Sequence, residues 1–268
     1  MILNYSSFIC PICGSRLFIL DNTYRCFKGN SFDKAKQGYV NLLLQGGSGK
    51  RHGDDKLMVM ARRSFLEKGY YDKLRDKINE IIGEGYTVLD SGCGEGYYTA
   101  KFSENNKVLG IDISKDAIKY AASRCKNSEF AVASISSLPI ENNSIDKVVA
   151  IFSPDAPSEF SRVLKTEGRL ITATPMENHL FELKTAVYDK PYLNPKPNLQ
   201  KQGFEVLNTY EVKYKISLHS NEDIINLFKM TPYYYKTSAE DQEKLTKISS
   251  LTTNLEFIIT EYEKEPSL

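Results

Sequence analysis

The sequence predicts an α/β protein with a doubly wound, mostly parallel sheet and a small cysteine-rich module in front of it. Two observations predict this arrangement. In the body of the chain, short β-rich runs alternate with helical patterns, which is typical of right-handed βαβ crossovers. Ahead of them, three of the five cysteines, Cys10, Cys13 and Cys26, lie among turn-forming residues and short apolar runs. The expected divisions are a small module at 1–45, a linker with helices at 46–84 and the α/β domain at 85–268.

The N-terminal module carries part of a metal-site pattern. The turn Cys10-Pro11-Ile12-Cys13 supplies two thiolates, and Cys26 brings a third from a returning strand. The first residues lack the basic start and apolar stretch of a signal peptide, so we expect a cytoplasmic protein, in which clustered cysteines indicate metal binding rather than disulfides. A closed zinc site needs a fourth ligand, and the position expected for it holds Asn30. Because the module is too poor in apolar residues for a core of its own, metal or docking onto the body must hold it together.

Basic residues are concentrated at the front of the chain. Residues 1–63 carry ten Lys or Arg against four Asp or Glu, a net charge of +6, and residues 64–268 carry 25 against 30, a net charge of −5. This division is compatible with a polyanionic partner such as nucleic acid, and equally with a solvated surface. The apolar runs are far shorter than the roughly 20 residues of a membrane-spanning helix, so no span is expected.

The segment from Gly46 to Asp55 is rich in glycine and charge and predicts the linker. After it, apolar residues recur at helical spacing as far as Ile82, with an interruption at Gly69. This spacing predicts two helices that lead into the α/β domain.

Each element of the α/β domain is predicted from its own pattern. The predicted strands are Thr87–Asp90, Val108–Asp112, Phe130–Val132, Ile145–Phe152 and Arg169–Thr172. The predicted helices between them are Tyr97–Ser103, Lys115–Cys125 and Ser158–Leu164. Two later strand-like runs, Phe204–Tyr214 and Leu255–Glu261, flank a helical pattern at Asn221–Lys229 and predict a terminal antiparallel addition to the sheet.

The glycine-rich turn after the first of these strands is the most informative segment. Its glycines let a ligand approach main-chain N–H groups without a Cβ in the way. A nicotinamide site would need a glycine where Tyr97 stands, and the Gly-Lys of a phosphate-binding loop is missing from this turn. The alternating glycines after an acidic residue instead resemble motif I of the Rossmann-like class I S-adenosylmethionine (AdoMet) methyltransferases. Asp112, at the end of the second strand, is placed to accept both ribose hydroxyls of an adenosine; the alternative is a tight turn with an unrelated aspartate. The cofactor-binding residues predicted here are Asp90, Gly92, Gly94, Gly96 and Asp112.

Further site residues are predicted along the carboxyl edge of the sheet, where ligands bind in open α/β folds. Ser134 follows the third strand and is expected to border the adenine. Asp155 follows the fourth strand and is expected either to border the reacting methyl group or to cap the next helix. His179 lies near the start of a later helix, a position that is also typical of a cap or surface residue. Cys93 and Cys125 lack the histidine partner of a nucleophile and are expected to be buried fillers or plain thiols.

These motifs together resemble the 23S ribosomal RNA (guanine-N1)-methyltransferases, a bacterial family that joins an N-terminal zinc module to an AdoMet domain. The resemblance covers nearly the whole chain. It rests on Cys10–Cys13 with Cys26, Phe32–Leu43, Ala61–Leu66, Gly92–Thr99, Ile171–Pro175, His179–Lys184 and Met230–Pro232. Motif I alone is shared by many methyltransferases, whereas the combination is far more specific.

The resemblance implies ligand sets for both cofactors. Tyr71, Glu95, Gly96 and His179 match the family's AdoMet contacts, and Cys10, Cys13 and Cys26 match three of its zinc ligands. The family's fourth ligand is a histidine at the position of Asn30. A neutral amide is a poor zinc ligand beside three thiolates. Three alternatives are therefore expected: zinc is weakly bound, water or His52 completes its coordination, or zinc is absent. The resemblance also implies 23S rRNA as the partner and a homodimer.

The expected function is therefore AdoMet-dependent methylation of guanine N1 in 23S rRNA. Asp155 is the candidate acceptor of the N1 proton, and Tyr97, Phe152 or Tyr233 could stack on the flipped-out base. The basic residues of the module expected to contact RNA are Arg16, Arg25, Lys28, Lys34 and Lys36. Two other functions stay open. A small-molecule methyltransferase would have no use for a basic cysteine module, and a non-catalytic RNA-binding protein could dispense with the cofactor loop.

Overall fold

A computed structural model of the protein describes residues 4–44 and 53–265, which form two β-sheets. The smaller sheet belongs to the N-terminal module and is antiparallel, with its four strands in chain order. These strands are β1 (Asn4–Ile9), β2 (Arg16–Leu20), β3 (Thr23–Arg25) and β4 (Ser31–Asp33).

The larger sheet has eight strands. They are β5 (Val40–Asn41), β6 (Thr87–Ser91), β7 (Lys107–Asp112), β8 (Glu129–Val132), β9 (Ile145–Ile151), β10 (Leu164–Pro175), β11 (Phe204–Leu218) and β12 (Leu251–Lys264). Their order across the sheet is β11-β12-β10-β9-β6-β7-β8-β5. Strands β5 to β10 pair in parallel, whereas β12 pairs antiparallel with both β10 and β11. The predicted parallel sheet with a terminal antiparallel addition is confirmed.

The α-helices occupy the intervals between strands. They are α1 (Lys56–Leu66), α2 (Asp72–Ile82), α3 (Tyr97–Phe102), α4 (Lys115–Arg124), α5 (Pro157–Val163), α6 (Phe181–Val187), α7 (Asn221–Lys229) and α8 (Ala239–Thr246). Gly69 lies between α1 and α2, as the sequence predicts, and the Asp55 side chain caps α1. No helix in the described parts of the chain has the length and apolar character needed to cross a bilayer.

The structure corrects several element boundaries. Strand β9 ends before Phe152, because that residue has a φ of +53° and leaves the extended conformation. Helix α5 ends before Leu164, whose extended backbone already begins β10. Helix α8 was not predicted, nor was the two-residue strand β5, which joins the larger sheet. Within the predicted linker, Gly53 to Asp55 are described, whereas 46–52, including His52, lie outside the described residues.

The larger sheet separates two apolar layers. One layer packs α1 and α2 against the sheet through residues such as Phe65 and Leu74. The other joins Leu109 of β7 to Phe8 and Leu17 of the smaller sheet in one continuous cluster. The N-terminal module is therefore docked on a face of the larger sheet.

Glu129 of β8 fastens this docking. Its carboxylate accepts hydrogen bonds from the Ser6 hydroxyl at 2.8 Å and from the Ser7 hydroxyl at 2.6 Å. The Ser7 main-chain N–H also donates to it, at 3.1 Å. Either a metal or docking onto the body was expected to support the module. These docking contacts involve no metal ligand.

Candidate cofactor and metal sites

The glycine loop between β6 and α3 lies at the carboxyl ends of the parallel strands. Gly92 has a φ of +80°, and a Cβ there would lie 2.5 Å from the Ser153 Cβ. Gly96 has a φ of +85°, and a Cβ there would lie 2.9 Å from the Ala121 Cα. Both positions therefore require glycine for the conformation and for the close approach of neighbouring segments.

Three acidic residues surround this loop: Asp90 and Glu95 are buried, and Asp112 is partly buried. Burial raises the pKa of Asp90 to about 7, and it also raises the pKa values of Glu95 and Asp112. Asp112 is oriented by two main-chain donors, the N–H of Gly94 at 2.9 Å and that of Ser114 at 2.8 Å. Asp90 instead accepts a hydrogen bond from the Thr99 hydroxyl at 2.6 Å, so it fixes the start of α3.

Several buried polar atoms beside the loop have no hydrogen-bond partner among the described residues. They include the hydroxyl oxygens of Ser91 and Ser153 and both carboxylate oxygens of Glu95. The nearest counter-charge to Glu95 is the Arg124 guanidinium, at 3.6 Å. Unpaired buried polar atoms cost free energy unless a ligand satisfies them. AdoMet carries a sulfonium, an ammonium group and ribose hydroxyls, so its positive charge and donors fit this acidic, acceptor-rich site.

Four rings cluster at the carboxyl edge near β9 and β12. The Phe257 ring centroid lies 5.3 Å from that of Tyr71, 5.5 Å from that of Phe152 and 4.6 Å from that of His179. The structure thus brings together two of the residues matched to the family's AdoMet contacts, Tyr71 and His179. Phe257 was missed by the sequence analysis, because a phenylalanine in a strand carries no signal that distinguishes a site from a core.

His179 is buried and neutral. Its Nδ1 accepts a hydrogen bond from the Glu256 N–H at 3.3 Å, so the ring proton is on Nε2. Burial, together with the charge of Lys184, lowers the pKa of His179 to about 3. Helix α6 begins after Leu180 without a side-chain cap, so His179 is neither a cap nor a surface residue.

This burial predicts a dependence of stability on pH. Because the pKa of His179 is about 3 in the folded state and near 6.5 when unfolded, the unfolded state binds the proton first as pH falls below 6.5. The free energy of unfolding contributed by His179 should therefore decrease by about 1.4 kcal/mol between pH 7.5 and pH 5.5. Urea unfolding of wild type and His179→Gln at both pH values measures it. The variant should lack this decrease, and His219→Gln, at an exposed position, is the control that should keep it.

Asp155 and Ser134 follow β9 and β8, as expected. The Asp155 carboxylate is half-exposed and forms an ion pair with the Lys201 ammonium at 2.5 Å. The alternative role of Asp155 as a helix cap is wrong, because α5 is preceded by Ala156 and has no side-chain cap. The Ser134 hydroxyl accepts a hydrogen bond from the Ser136 N–H at 3.2 Å.

The remaining two cysteines are buried beside the glycine loop. Burial raises the pKa of both thiols, to about 11 for Cys125. The Cys125 thiol donates to the Gly96 carbonyl over 3.7 Å. Both are packing residues of the loop, consistent with the expectation of fillers or plain thiols.

The other three cysteines converge in the N-terminal module. The Sγ atoms of Cys10, Cys13 and Cys26 lie within 4.8 Å of one another. The Cys13–Cys26 distance is 3.7 Å, close to the roughly 3.8 Å edge of a tetrahedral site with zinc–sulfur bonds of about 2.3 Å. Hydrogen bonds from Ser15 lower the pKa of Cys13 to about 6, whereas burial raises that of Cys10.

Asn30 faces this triangle of sulfur atoms. Its Nδ2 lies 3.4 Å from the Cys10 Sγ and 3.5 Å from each of the Sγ atoms of Cys13 and Cys26. The end of the amide therefore stands at the fourth corner of a tetrahedron. A rotation of the amide by half a turn would direct its oxygen to the centre. The donor set fits zinc, with three thiolates and one weak oxygen ligand.

Comparison with known proteins matches both parts of the chain. Residues 82–248 match a family described as methyltransferase domain, and residues 8–44 match a zinc ribbon described as RlmA, N-terminal. The "Putative 23S rRNA (guanine-N(1)-)-methyltransferase YxjB" of Bacillus subtilis is 30% identical, covering 96% of this chain and 98% of its own. The "23S rRNA (guanine(748)-N(1))-methyltransferase" of Streptomyces fradiae is 35% identical over 66% of each chain.

A solved structure supports the fold. The YcgJ protein of Bacillus subtilis superposes with a TM-score of 0.50 at 16% identity and covers 73% of this chain and 100% of that one. At this identity the likeness concerns the fold alone.

Proposed function

We propose that this chain, which belongs to the 23S rRNA (guanine-N1)-methyltransferase family, transfers the methyl group of AdoMet to N1 of a guanine in 23S rRNA. One observation carries the proposal: this chain matches both a zinc ribbon and a methyltransferase domain, and the relative named as a putative 23S rRNA (guanine-N1)-methyltransferase aligns with 96% of it. The other functions considered would each use only one of these parts.

The proposed cofactor residues would contact different groups of AdoMet. Bound AdoMet would supply an electrophilic methyl group on sulfur. The two oxygens of Asp112, which are held in place by main-chain donors, would accept hydrogen bonds from the ribose hydroxyls. Glu95 would offer its two oxygens, which accept no hydrogen bond from the described residues, to donors of the cofactor. The buried Nε2–H of His179 would donate to an acceptor. The full proposed set is Tyr71, Asp90, Gly92, Gly94, Glu95, Gly96, Asp112, Ser134 and His179.

Guanine N1 carries a proton that must leave during transfer. His179 is a poor acceptor, because its pKa is lowered to about 3 by burial. Asp155 remains the proposed acceptor, since its half-exposed carboxylate follows β9 at the edge where the methyl group would react. Its ion pair with Lys201 would hold the carboxylate in place.

Phe152 is the best placed of the three aromatic candidates to stack on the base. This residue is 46% exposed, and its φ of +53° turns the chain out of β9 at the carboxyl edge. Such strain at a non-glycine residue is typical of functional sites. By contrast, the Tyr97 hydroxyl donates to Asp72, and that of Tyr233 to Asn194.

The N-terminal module is proposed to hold the RNA. Arg25 and Lys28 lie close in sequence to Phe27, a residue that is 69% exposed, at the turn that carries Cys26. Basic side chains next to an exposed ring are suited to phosphate contact and base stacking. The family also implies a homodimer. This remains a prediction, which measurement of the molecular mass in solution would test.

Analysis of ribosomal RNA tests the activity. Methylation at N1 blocks base pairing, so primer extension on 23S rRNA should stop at one guanine in the parent strain and read through in a deletion strain. Reintroduction of the wild-type gene should restore the stop. An unchanged pattern of stops at guanines would contradict the proposal.

In vitro assays separate the alternatives. Comparable methylation of free guanine nucleotides without RNA would favour a small-molecule methyltransferase. Failure to bind S-adenosylhomocysteine, the demethylated product form of the cofactor, would favour a non-catalytic RNA-binding protein.

A further inference from the structure

An arginine of α1 lies over the glycine loop. The Arg62 Nη1 would be 3.9 Å from a Cβ at Gly94, and its Nη2 donates to the Met230 carbonyl at 3.3 Å. The same guanidinium forms an ion pair with the Asp54 carboxylate. Both side chains are largely screened from water, with exposures of 29% for Arg62 and 26% for Asp54.

Asp54 is held at this place by its own segment. Gly53, with a φ of +83°, packs so closely that a Cβ would lie 2.6 Å from the Ile113 Cγ2. The Asp54 carbonyl accepts a hydrogen bond from the Ser114 hydroxyl at 2.8 Å, and Asp55 caps α1 through the Met58 N–H at 2.9 Å. The Asp54 carboxylate thus lies at the carboxyl end of β7, beside the proposed ribose site.

A carboxylate at this position adds negative charge to an acidic site. Asp54 contributes to the raised pKa of Asp112, whereas Arg62 opposes that rise. Arg62 likewise opposes the raised pKa of Glu95. The guanidinium is therefore the positive group to which an anionic part of a ligand in this crevice would bind, and in the described structure a protein carboxylate occupies it.

We propose that Arg62 binds the α-carboxylate of AdoMet and that Asp54 is the carboxylate it releases in exchange. This inference rests on the proposed function, since it concerns the same cofactor. A guanidinium pairs with a carboxylate through charge-assisted hydrogen bonds, and one such group can replace another without leaving the charge unpaired. Arg124 is less suited to this role, because its guanidinium is shared between Glu67 at 2.8 Å and Glu95 at 3.6 Å.

Two ligands separate the carboxylate contact from the rest of the site. S-Adenosylhomocysteine carries the amino-acid group, whereas 5′-methylthioadenosine has the same adenosine thioether without it. In isothermal titration, Arg62→Gln should weaken the affinity for S-adenosylhomocysteine by about 10- to 100-fold and leave that for 5′-methylthioadenosine unchanged. Arg62→Lys, which keeps the charge, should recover part of the loss.

Two further variants complete the test. Asp54→Asn removes the competing carboxylate and should tighten S-adenosylhomocysteine binding several-fold. Arg63→Gln is the matched control on the same helix, because Arg63 pairs with Glu67 at 2.8 Å, and it should change neither affinity.

The outcomes distinguish a failure of this inference from a failure of the proposed function. Equal weakening of both ligands by Arg62→Gln, or an unchanged affinity for S-adenosylhomocysteine, would overturn the role of Arg62. A loss of affinity in Asp54→Asn would overturn the exchange. If wild-type protein bound neither ligand, the proposed function would fail and the inference with it.

Discussion

Replacing Asp112 with alanine is expected to lower the affinity for S-adenosylhomocysteine by about 100-fold or more, because hydrogen bonds to a charged group contribute about 1.5–3 kcal/mol each and the two ribose hydroxyls would lose their acceptor. The change also frees the N–H groups of Gly94 and Ser114, which the carboxylate now orders. We therefore expect the loss to exceed that from removal of a ligand contact alone.

Asparagine at this position should not rescue binding. Each carboxylate oxygen of Asp112 accepts from a main-chain N–H, so the amide nitrogen of an asparagine would face one of these donors with its own N–H. Asp112→Asn should thus remain at least tenfold weaker than wild type, by the cost of one lost charged hydrogen bond.

Asp146 provides the matched control for Asp112. It also accepts a main-chain N–H, that of Thr87 at 2.9 Å, and it lies at the amino end of β9, on the opposite edge of the sheet. Asp146→Ala should lower the melting temperature without changing cofactor affinity. If Asp112→Ala bound S-adenosylhomocysteine within threefold of wild type, the proposed ribose contact would be wrong.

The elements that carry the site could be predicted because their sequence signals are local. Each of the strands β6 to β9 contains a short apolar run, and the glycines between Asp90 and Tyr97 indicate the loop before any contact is known. Strand β5 was missed because its two residues are too short for a pattern and pair with β8 only through the docking of the module.

The partners around the cofactor crevice could not be predicted from sequence. Arg62 and Asp54 are distant in sequence from the glycine loop, and only the packing of α1 brings them over Gly94. The left-handed conformation of Phe152 has no residue signal, since phenylalanine rarely adopts it. The spacing of the cysteines did indicate where a fourth ligand should be, but whether Asn30 reaches the sulfur atoms depends on the fold of the turn.

Replacing Asn30 with histidine is expected to raise zinc affinity by about tenfold or more, because an imidazole nitrogen is a much better zinc ligand than an amide oxygen. Since metal binding and folding share one free energy, the melting temperature should rise by about 2–4 °C for each kcal/mol gained. Competition with a chromophoric chelator gives the affinity, and calorimetry gives the melting temperature.

Two variants control this experiment. Asn105→His places a new histidine in an exposed turn of the α/β domain, between α3 and β7, and should alter neither quantity. Cys26→Ser removes a thiolate and should abolish stoichiometric zinc while leaving the α/β domain folded, because Glu129 and the shared apolar cluster still dock the module.

Because the module is docked on the larger sheet, it could be folded without zinc, and this alternative predicts different results. If docking alone holds the module, a chelator should leave the melting curve unchanged and Asn30→His should have little effect on it. Elemental analysis of wild-type protein purified without added metal should find about one zinc per chain, since three thiolates and the amide of Asn30 stand at the corners of a tetrahedron. Well under one zinc per chain would show that Asn30 is too weak a ligand to close the site.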